Sequence, residues 1–557
     1  MNGLVMLVIA AVVLVLAYLL YGRYLAKKWG IDPNKKTPAV ELEDGVDYVP
    51  AKPSVVFGHE FASIAGAGPI NGPIQAAMFG WLPVLLWILI GGVFIGAVQD
   101  FSAIYASVKN KGKTIGYIIE SYIGKTGKRL FLAFVWLFSI LVVAAFADIV
   151  AGTFMGFAAD GSRIQANASV ATTSMLFIAA AVGLGFFIRR AQPSGLVSGI
   201  TAVVILVTCI TLGLFFPVYV PKTFWLYLVF AYIFIASITP VWALLQPRDY
   251  LNAFLLVAMI AAAFIGVVCS APAINIPAFV GFTAPNGSLL FPILFVTVAC
   301  GAVSGFHSLV ASGTASKQIS NEKHMLPISF GAMLLESLLA VLALITVGAL
   351  TVNGQLPQGI STPPQVFAAA VAGFLTNLGL PESVIFTLIT LSVSAFALTS
   401  LDSVARVGRL AFQELFTDDQ NTGKTPSPLA AFLSNKYVAT VATLVLGYLL
   451  AILGYQNIWP LFGSANQLLA ALSLIACAVF LKKTNRKGWM LYVPMFFMLA
   501  VTFTALVFTI VQLGGLLSAG TFALEKHALQ FVFAILLLGL GVMVAVQGVQ
   551  KLTEKKA

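Results

Sequence analysis

Runs of roughly 20 mostly apolar residues recur along nearly all of this 557-residue chain, each long enough to cross a hydrocarbon core about 30 Å thick as a helix. Fifteen such spans can be drawn, at about 4–22, 54–80, 82–107, 128–157, 169–188, 194–216, 223–245, 250–270, 289–313, 325–352, 383–405, 437–455, 459–481, 489–514 and 528–549. Lipid offers no hydrogen-bond partners, so a spanning backbone must be helical or part of a closed barrel, and the ~10-residue alternation of a barrel is absent. The sequence therefore predicts an all-α polytopic membrane protein of about 15 transmembrane helices. Composition agrees: 9% charged residues, against roughly 25% in a soluble domain, cannot cover a water-soluble globule of this size. The first run lacks a preceding basic region and a following small-residue cleavage site. It reads as a retained helix, with Arg23, Lys27 and Lys28 as its stop-transfer flank.

The net charge of +11 is a topology signal rather than a nucleic-acid footprint. Threading the spans from an outside N-terminus leaves only Arg163, Lys222 and Lys526 of the 31 Lys and Arg on the outer side. That bias predicts a multi-pass protein of the cytoplasmic membrane with its C-terminus in the cytoplasm and no nucleic-acid partner. The apolar but short stretch Thr362–Leu378 reads as an external surface or re-entrant helix. The polar stretch after Thr417 reads as a cytoplasmic linker. The expected organisation is an accessory helix and loop over 1–53, a transporter core over 54–416, the linker over 417–436 and a four-helix unit over 437–557. The four cysteines all fall inside apolar runs and read as packing residues.

The most informative segment runs from Gly58 to Pro73, where Gly66, Gly68, Pro69, Gly72 and Pro73 interrupt a span after about ten helical residues. Such a run cannot continue as one helix, and the backbone groups it frees are tolerable in lipid only when they line a cavity or are buried in protein. Broken helices at membrane depth are the usual device for binding a solute and its coupling ion. A second interruption, Thr239-Pro240-Val241-Trp242, comes five spans later and runs the other way, as a five-plus-five inverted repeat requires. The segment Gly301–Thr314 is dense in small and hydroxylated residues that permit close helix approach and supply oxygen ligands.

His59, Glu60 and His307 fall within spans, where an ionisable side chain is costly and marks function by default. Three readings stand side by side: a proton relay, a transition-metal site and a hydrogen-bond network holding helices together. Asp148 and Glu336 also lie deep in their spans, whereas Asp100 reads as an ion pair with Lys109 and Lys111 near a span end. Asp402 and Arg406, four apart, read as an ion pair within one helix. No nucleotide-binding glycine loop, zinc-protease helix or nucleophile elbow occurs, so neither enzymatic activity nor a cofactor is expected.

Several stretches resemble the carbon starvation protein A family: Gly58-His59 with Phe61 to Ile70, Gln246-Pro247-Arg248-Asp249-Tyr250-Leu251, Ser304-Gly305-Phe306-His307 with Ser312-Gly313-Thr314, Thr399-Ser400-Leu401-Asp402 with Arg406, and Trp459 to Gly463 with Asn466 to Leu469. The family pattern has a second histidine where this chain has Glu60, and a histidine where it has Gln99. The resemblance implies a core like that of the amino acid, polyamine and organocation transporters. It also implies import of a small nutrient, pyruvate or a short peptide, under carbon starvation. The expected substrate-binding residues are Ser63, Gly66, Ala67, Gly68, Asn71, Thr239, Trp242, Ser304 and His307. The expected ion-coupling residues are His59, Glu60, His307, Ser308, Ser312 and Asp148, with protons as the coupling ion and sodium as the other choice. A metal carrier or metalloenzyme built on His59, Glu60 and His307, and a sensor that binds without transporting, are the competing readings.

Overall fold

The computed structural model describes residues 1–557 except 46–47, 159, 192, 240–243, 353, 358–359, 361, 418–426 and 555–557, and except the side chains at 189, 245–247, 249 and 417. The described chain is helical throughout, with only isolated bridges between extended residues. In chain order the helices are α1 (Gly3–Trp29), the interrupted pair α2 (Pro53–Ile64) and α3 (Gly68–Ala76), then α4 (Trp81–Lys109), α5 (Ile115–Tyr122), α6 (Lys125–Phe154), α7 (Gln165–Ile188), α8 (Gly195–Phe215), α9 (Lys222–Ile238) and α10 (Leu245–Ser270). A second interrupted pair follows, α11 (Leu290–Thr297) and α12 (Phe306–Gly313). The remaining helices are α13 (Glu322–Leu350), α14 (Pro363–Thr376), α15 (Glu382–Phe416), α16 (Lys436–Ala451), α17 (Tyr455–Lys483), α18 (Trp489–Ser518) and α19 (Leu524–Thr553). Eleven of the described helices are long and apolar enough to cross a membrane. The two interrupted pairs and the shorter helices α9 and α16 occupy the other spans read from the sequence.

The two interrupted spans run antiparallel. Where α2 begins, the Val49 and Ala51 amides donate to the Lys317 and Gln318 carbonyls just beyond α12, at 3.2 and 3.0 Å. Past α3, the Trp81 amide donates to the Pro277 carbonyl and the Val280 amide to the Phe79 carbonyl, both at 3.1 Å, just ahead of α11. The same order of parts follows each pair: a long span with a π-helical stretch (Gly92–Gly96 in α4, Leu326–Gly331 in α13), a short helix (α5, α14) and another long span (α6, α15). Helices α6 and α15 lie against each other, joined by the Thr153 and Ser394 hydroxyls at 2.9 Å. An inverted repeat of broken spans is thus visible in the fold. The span that faces α2 and α3 is 290–313, not 223–245, whose expected interruption, Thr239 to Trp242, falls outside the described residues from 240 on.

Two faces follow. Loops on one face tie together through Tyr48 Oη to the Lys111 carbonyl at 2.9 Å, Asn321 Nδ2 to the Pro33 carbonyl at 2.8 Å, and Lys109 Nζ to Glu322 Oε1 at 2.5 Å. The chain's C-terminal end lies on this face too, where Lys482 Nζ donates to the Glu554 carbonyl at 2.8 Å. The N-terminal residues lie on the other face, the Ile274 amide donating to the Met1 carbonyl at 2.9 Å.

Helix α17, assigned from the sequence to a C-terminal unit, is buried along its apolar length and packs on α4, α6, α11 and α12. Its small residues, Gly463, Ser464, Ala465, Ala470 and Ala471, explain how it fits there, since lipid gives no hydrophobic drive and close backbone approach must supply the dispersion energy. Gly305 of α12 meets it at one of the tight points. A Cβ there would lie 2.4 Å from both the Asn466 carbonyl oxygen and the Ala470 nitrogen. Gly305→Ala is therefore expected to force α12 off α17 and destabilise by 3 kcal/mol or more, the upper end of overpacking costs of about 1–3 kcal/mol. A thermal melt of the detergent-solubilised protein, followed by size-exclusion fluorescence, reads the loss.

Candidate functional site

The second break is held open by side chains from distant parts of the chain. Between Thr297 and Phe306 the helix stops, and Gly301 takes a left-handed φ of 87° that disfavours any other residue. The freed carbonyls of Thr297, Val298 and Ser304 accept from Trp459 Nε1 (3.2 Å), Trp87 Nε1 (3.0 Å) and Gln99 Nε2 (2.9 Å). The freed amides of Gly301 and Phe306 donate to Glu336 Oε1 (3.2 Å) and Asn466 Oδ1 (3.1 Å), and that of Gly305 to the Asn466 carbonyl (3.0 Å). Unpaired, each of these backbone groups would cost several kcal/mol at membrane depth, so the five side chains define a stable gap rather than a bend.

A cavity of about 20 Å³ lies between the two breaks, room for a single water. Gly66 and Gly68 of the first break and Cys300 and Ser304 of the second line it, with Ser400 from α15 and Asn466 from α17. Phe138, Phe146, Phe306 and Phe462 form its apolar wall, so a larger occupant requires these rings to move. Ser304 Oγ accepts from Asn466 Nδ2 at 3.1 Å, and Cys300 Sγ from the same amide at 3.7 Å.

One helical turn from this cavity, His307 at the start of α12 sits between two carboxylates. Its Nδ1 is 2.9 Å from Asp100 Oδ2 on α4, and its Nε2 is 3.2 Å from Glu336 Oε2 on α13, an ion-pair distance without hydrogen-bond alignment. All three side chains are at most 1% exposed. Glu60 on α2 is also fully buried, with no hydrogen-bond partner for either oxygen among the described residues, and lies within electrostatic reach of Asp100 and His307. Among the described residues, the charged groups acting on these four side chains are one another, with no lysine or arginine.

The other expected site residues scatter around this centre. Ala67 is buried at the first break, and Asn71, on α3, has its side-chain amide buried with no partner among the described residues. Ser63 Oγ turns back to the His59 carbonyl at 2.7 Å, while His59 Nε2 is buried without a partner among the described residues. Ser308 pairs with Ser473 Oγ at 2.7 Å, and Ser312 donates to the Ser308 carbonyl at 2.6 Å. Thr314 donates to the Val310 carbonyl at 2.9 Å. Thr239 sits elsewhere, its carbonyl taking Arg406 Nη2 at 2.8 Å, and Trp242 lies outside the described residues. Asp148 stands apart near the N-terminal face, 2.7 Å from Lys222 Nζ and accepting the Tyr455 amide at 2.9 Å. Both His307 nitrogens face carboxylates, and no group of three acidic, histidine or cysteine side chains is arranged to hold a metal among the described residues.

The family model of carbon starvation protein CstA matches residues 2–362 and 352–505. The chain belongs to this family. It is 31% identical to the peptide transporter CstA of Escherichia coli over 90% of this chain and 80% of that one, and 32% identical to the Bacillus subtilis peptide transporter CstA over 88% and 87%. It is also 32% identical to the E. coli pyruvate/proton symporter BtsT over 90% and 81%. Among solved structures, that of the Eremococcus coleocola manganese transporter is similar at a TM-score of 0.48 and 12% identity, covering 89% of this chain and 95% of that one.

In this member of the CstA family, Gln99 closes the second break through its bond to Ser304, next to Asp100 in the charged cluster. Four site residues carry other readings in the sequence: Asp100 as an ion pair with Lys109 and Lys111, Cys300 as packing, and Ser400 and Asn466 only as parts of the family-like stretches. Polar residues inside otherwise apolar spans were the available signal, and Asn466 and Gln467 carried it clearly.

Proposed function

We propose that this chain imports a small organic nutrient, pyruvate or a short peptide, across the cytoplasmic membrane by proton-coupled symport. The observation that carries the reading is the buried cluster of Glu60, Asp100, His307 and Glu336. Three carboxylates around one imidazole hold more negative charge than the site balances, and uncompensated charge in a low-dielectric interior costs several kcal/mol per ion. The cluster therefore takes up cations, and protons are the ones its own atoms bind without further ligands. Ser308, Ser312 and Thr314 donate their hydroxyl protons to carbonyls of their own helix, which leaves oxygen lone pairs for sodium as the other choice of ion. His307 joins the two functions, since it follows Phe306, the first residue of the same helix, which lines the cavity. Protonation there is thus read directly by the solute site.

For the solute, the cavity offers hydroxyls, a thiol, a carboxamide and aromatic rings but no acid among its described lining residues. That favours a small monocarboxylate over a peptide, whose ammonium group would go unpaired. The names of the relatives, peptide transporter and pyruvate/proton symporter, span both choices. The lysine-rich face carrying the C-terminal end supports the orientation proposed, N-terminus outside and C-terminus cytoplasmic. We place the transporting core from α2 to α17, with α1, α18 and α19 as accessory helices.

The test is uptake of labelled pyruvate, and separately of a labelled dipeptide, into proteoliposomes under an inward proton gradient. Concentration of pyruvate that collapses with a protonophore is the expected result, and no movement of either solute by folded protein under proton or sodium gradients overturns the reading. Cys300 provides a second check. Alkylation of Cys300, quantified on its own peptide because Cys269 is exposed, should be slow and be slowed further by saturating pyruvate. Unchanged labelling would separate the solute from this cavity.

A further inference from the structure

We propose that an acidic glycerophospholipid of the bilayer binds at the turn between α17 and α18. An open cleft of about 360 Å³ lies there, lined by Lys482, Arg486, Lys487, Trp489 and Tyr492 along with the turn residues Asn485 and Gly488. No acidic side chain lines it among the described residues, and the Glu554 carboxylate is engaged elsewhere, 3.6 Å from Lys483 and 2.6 Å from Lys551. Lys487 is exposed and has no ion pair among the described residues. Basic pockets at the cytoplasmic ends of transmembrane helices, next to aromatic residues of the interface, are where phosphate headgroups dock.

The apolar surface continuing from the cleft decides between a lipid and a soluble anion. Trp489, Val493 and Phe496, spaced i, i+4 and i+7 along α18, are 57%, 74% and 56% exposed and form one stripe running from the cleft into the membrane. A headgroup in the cleft would lay its acyl chains along this stripe, which a free phosphate cannot use.

The turn is fixed to the transporting core. The Lys487 carbonyl accepts from Trp29 Nε1 at 3.2 Å, and the Trp29 ring stacks on Phe101 at 5.0 Å. The Arg486 guanidinium lies 5.4 Å above the Tyr105 ring. Phe101 and Tyr105 are on α4, within about a turn and a half of Asp100. An occupied cleft therefore steadies the end of the helix that carries Asp100, and transport should run faster in bilayers containing the acidic lipid.

Native mass spectrometry of the full, delipidated protein with added phosphatidylglycerol or phosphatidylcholine tests the site. The wild type should retain phosphatidylglycerol preferentially, and Lys482→Gln with Lys487→Gln should weaken that retention about thirty-fold, two cationic contacts having been lost. Lys482 also donates to the Leu552 and Glu554 carbonyls, so Lys487→Gln alone, with an expected loss of about five-fold, keeps the test valid if the double variant misfolds. Equal retention of both lipids, or unchanged retention by monodisperse variants, overturns the proposal. So does displacement of phosphatidylglycerol by millimolar inorganic phosphate, which would assign the cleft to a soluble anion.

Discussion

Proteoliposomes containing the His307→Gln protein are expected to exchange pyruvate across the membrane but not to concentrate it when a proton gradient is imposed. One proton per solute can sustain at most about tenfold accumulation per pH unit, because a pH unit is worth 1.36 kcal/mol. In the variant that ratio should fall to unity, and initial gradient-driven uptake should fall on the order of a hundredfold, in the range seen when a positioned proton-transfer group is removed. Glutamine can still hydrogen-bond to Asp100, whose oxygen lies 2.9 Å from the imidazole, but cannot carry a proton between it and Glu336. Alanine is the poorer probe, because removing one partner of a buried ion pair costs about 3–5 kcal/mol and confounds coupling with folding. Glu336→Gln should behave alike, its carboxamide oxygen still able to accept the Gly301 amide. Counterflow without a gradient separates the outcomes. Exchange that persists while accumulation is lost assigns proton coupling to the cluster, whereas accumulation equal to wild type in the His307 variant removes it from that role.

The sequence made the spans legible because hydrocarbon thickness imposes a length on every one of them, and no other solvent leaves so regular a mark. The first break was legible for a local reason: Gly66, Gly68, Pro69 and Pro73 cannot sustain a helix. The second was not, because Cys300–Gly305 contains no proline and reads as a tightly packed helix. Its gap exists only through Trp87, Gln99, Glu336, Trp459 and Asn466, brought from up to 211 residues away by the fold. The sequence signal for a repeat falls instead at Pro240, where a proline stands out. Asp100 was matched to its sequence neighbours Lys109 and Lys111, but Lys109 turns to Glu322 and leaves the carboxylate to His307. Local charge spacing misleads inside a membrane bundle, because burying a charge costs so much that partners are selected across helices.

Asp402 makes the same point and carries the other large prediction. Four residues from Arg406, it nevertheless pairs with Arg248 of α10 and takes the Tyr232 hydroxyl of α9 at 2.8 Å. Arg406 instead donates to the Ala236 and Thr239 carbonyls at 2.9 and 2.8 Å, and Arg409 to the Ser237 carbonyl at 2.6 Å. One face of α15 thereby gathers the ends of α9 and α10 beside α2, the first half of the first broken span. Asp402→Ala would leave the Arg248 guanidinium, 1% exposed, without its carboxylate, at a cost of about 3–5 kcal/mol. We expect a melting temperature lower by several degrees and poor recovery of monodisperse protein. Arg248→Met combined with Asp402→Leu should regain most of that loss, since apolar residues of similar volume often replace a buried pair at little net cost. Uptake by the double variant then distinguishes two roles. Wild-type transport would make the pair a fastening of the fold. A stable protein that binds pyruvate and does not move it would mean that the pair must part and re-form during the transport cycle.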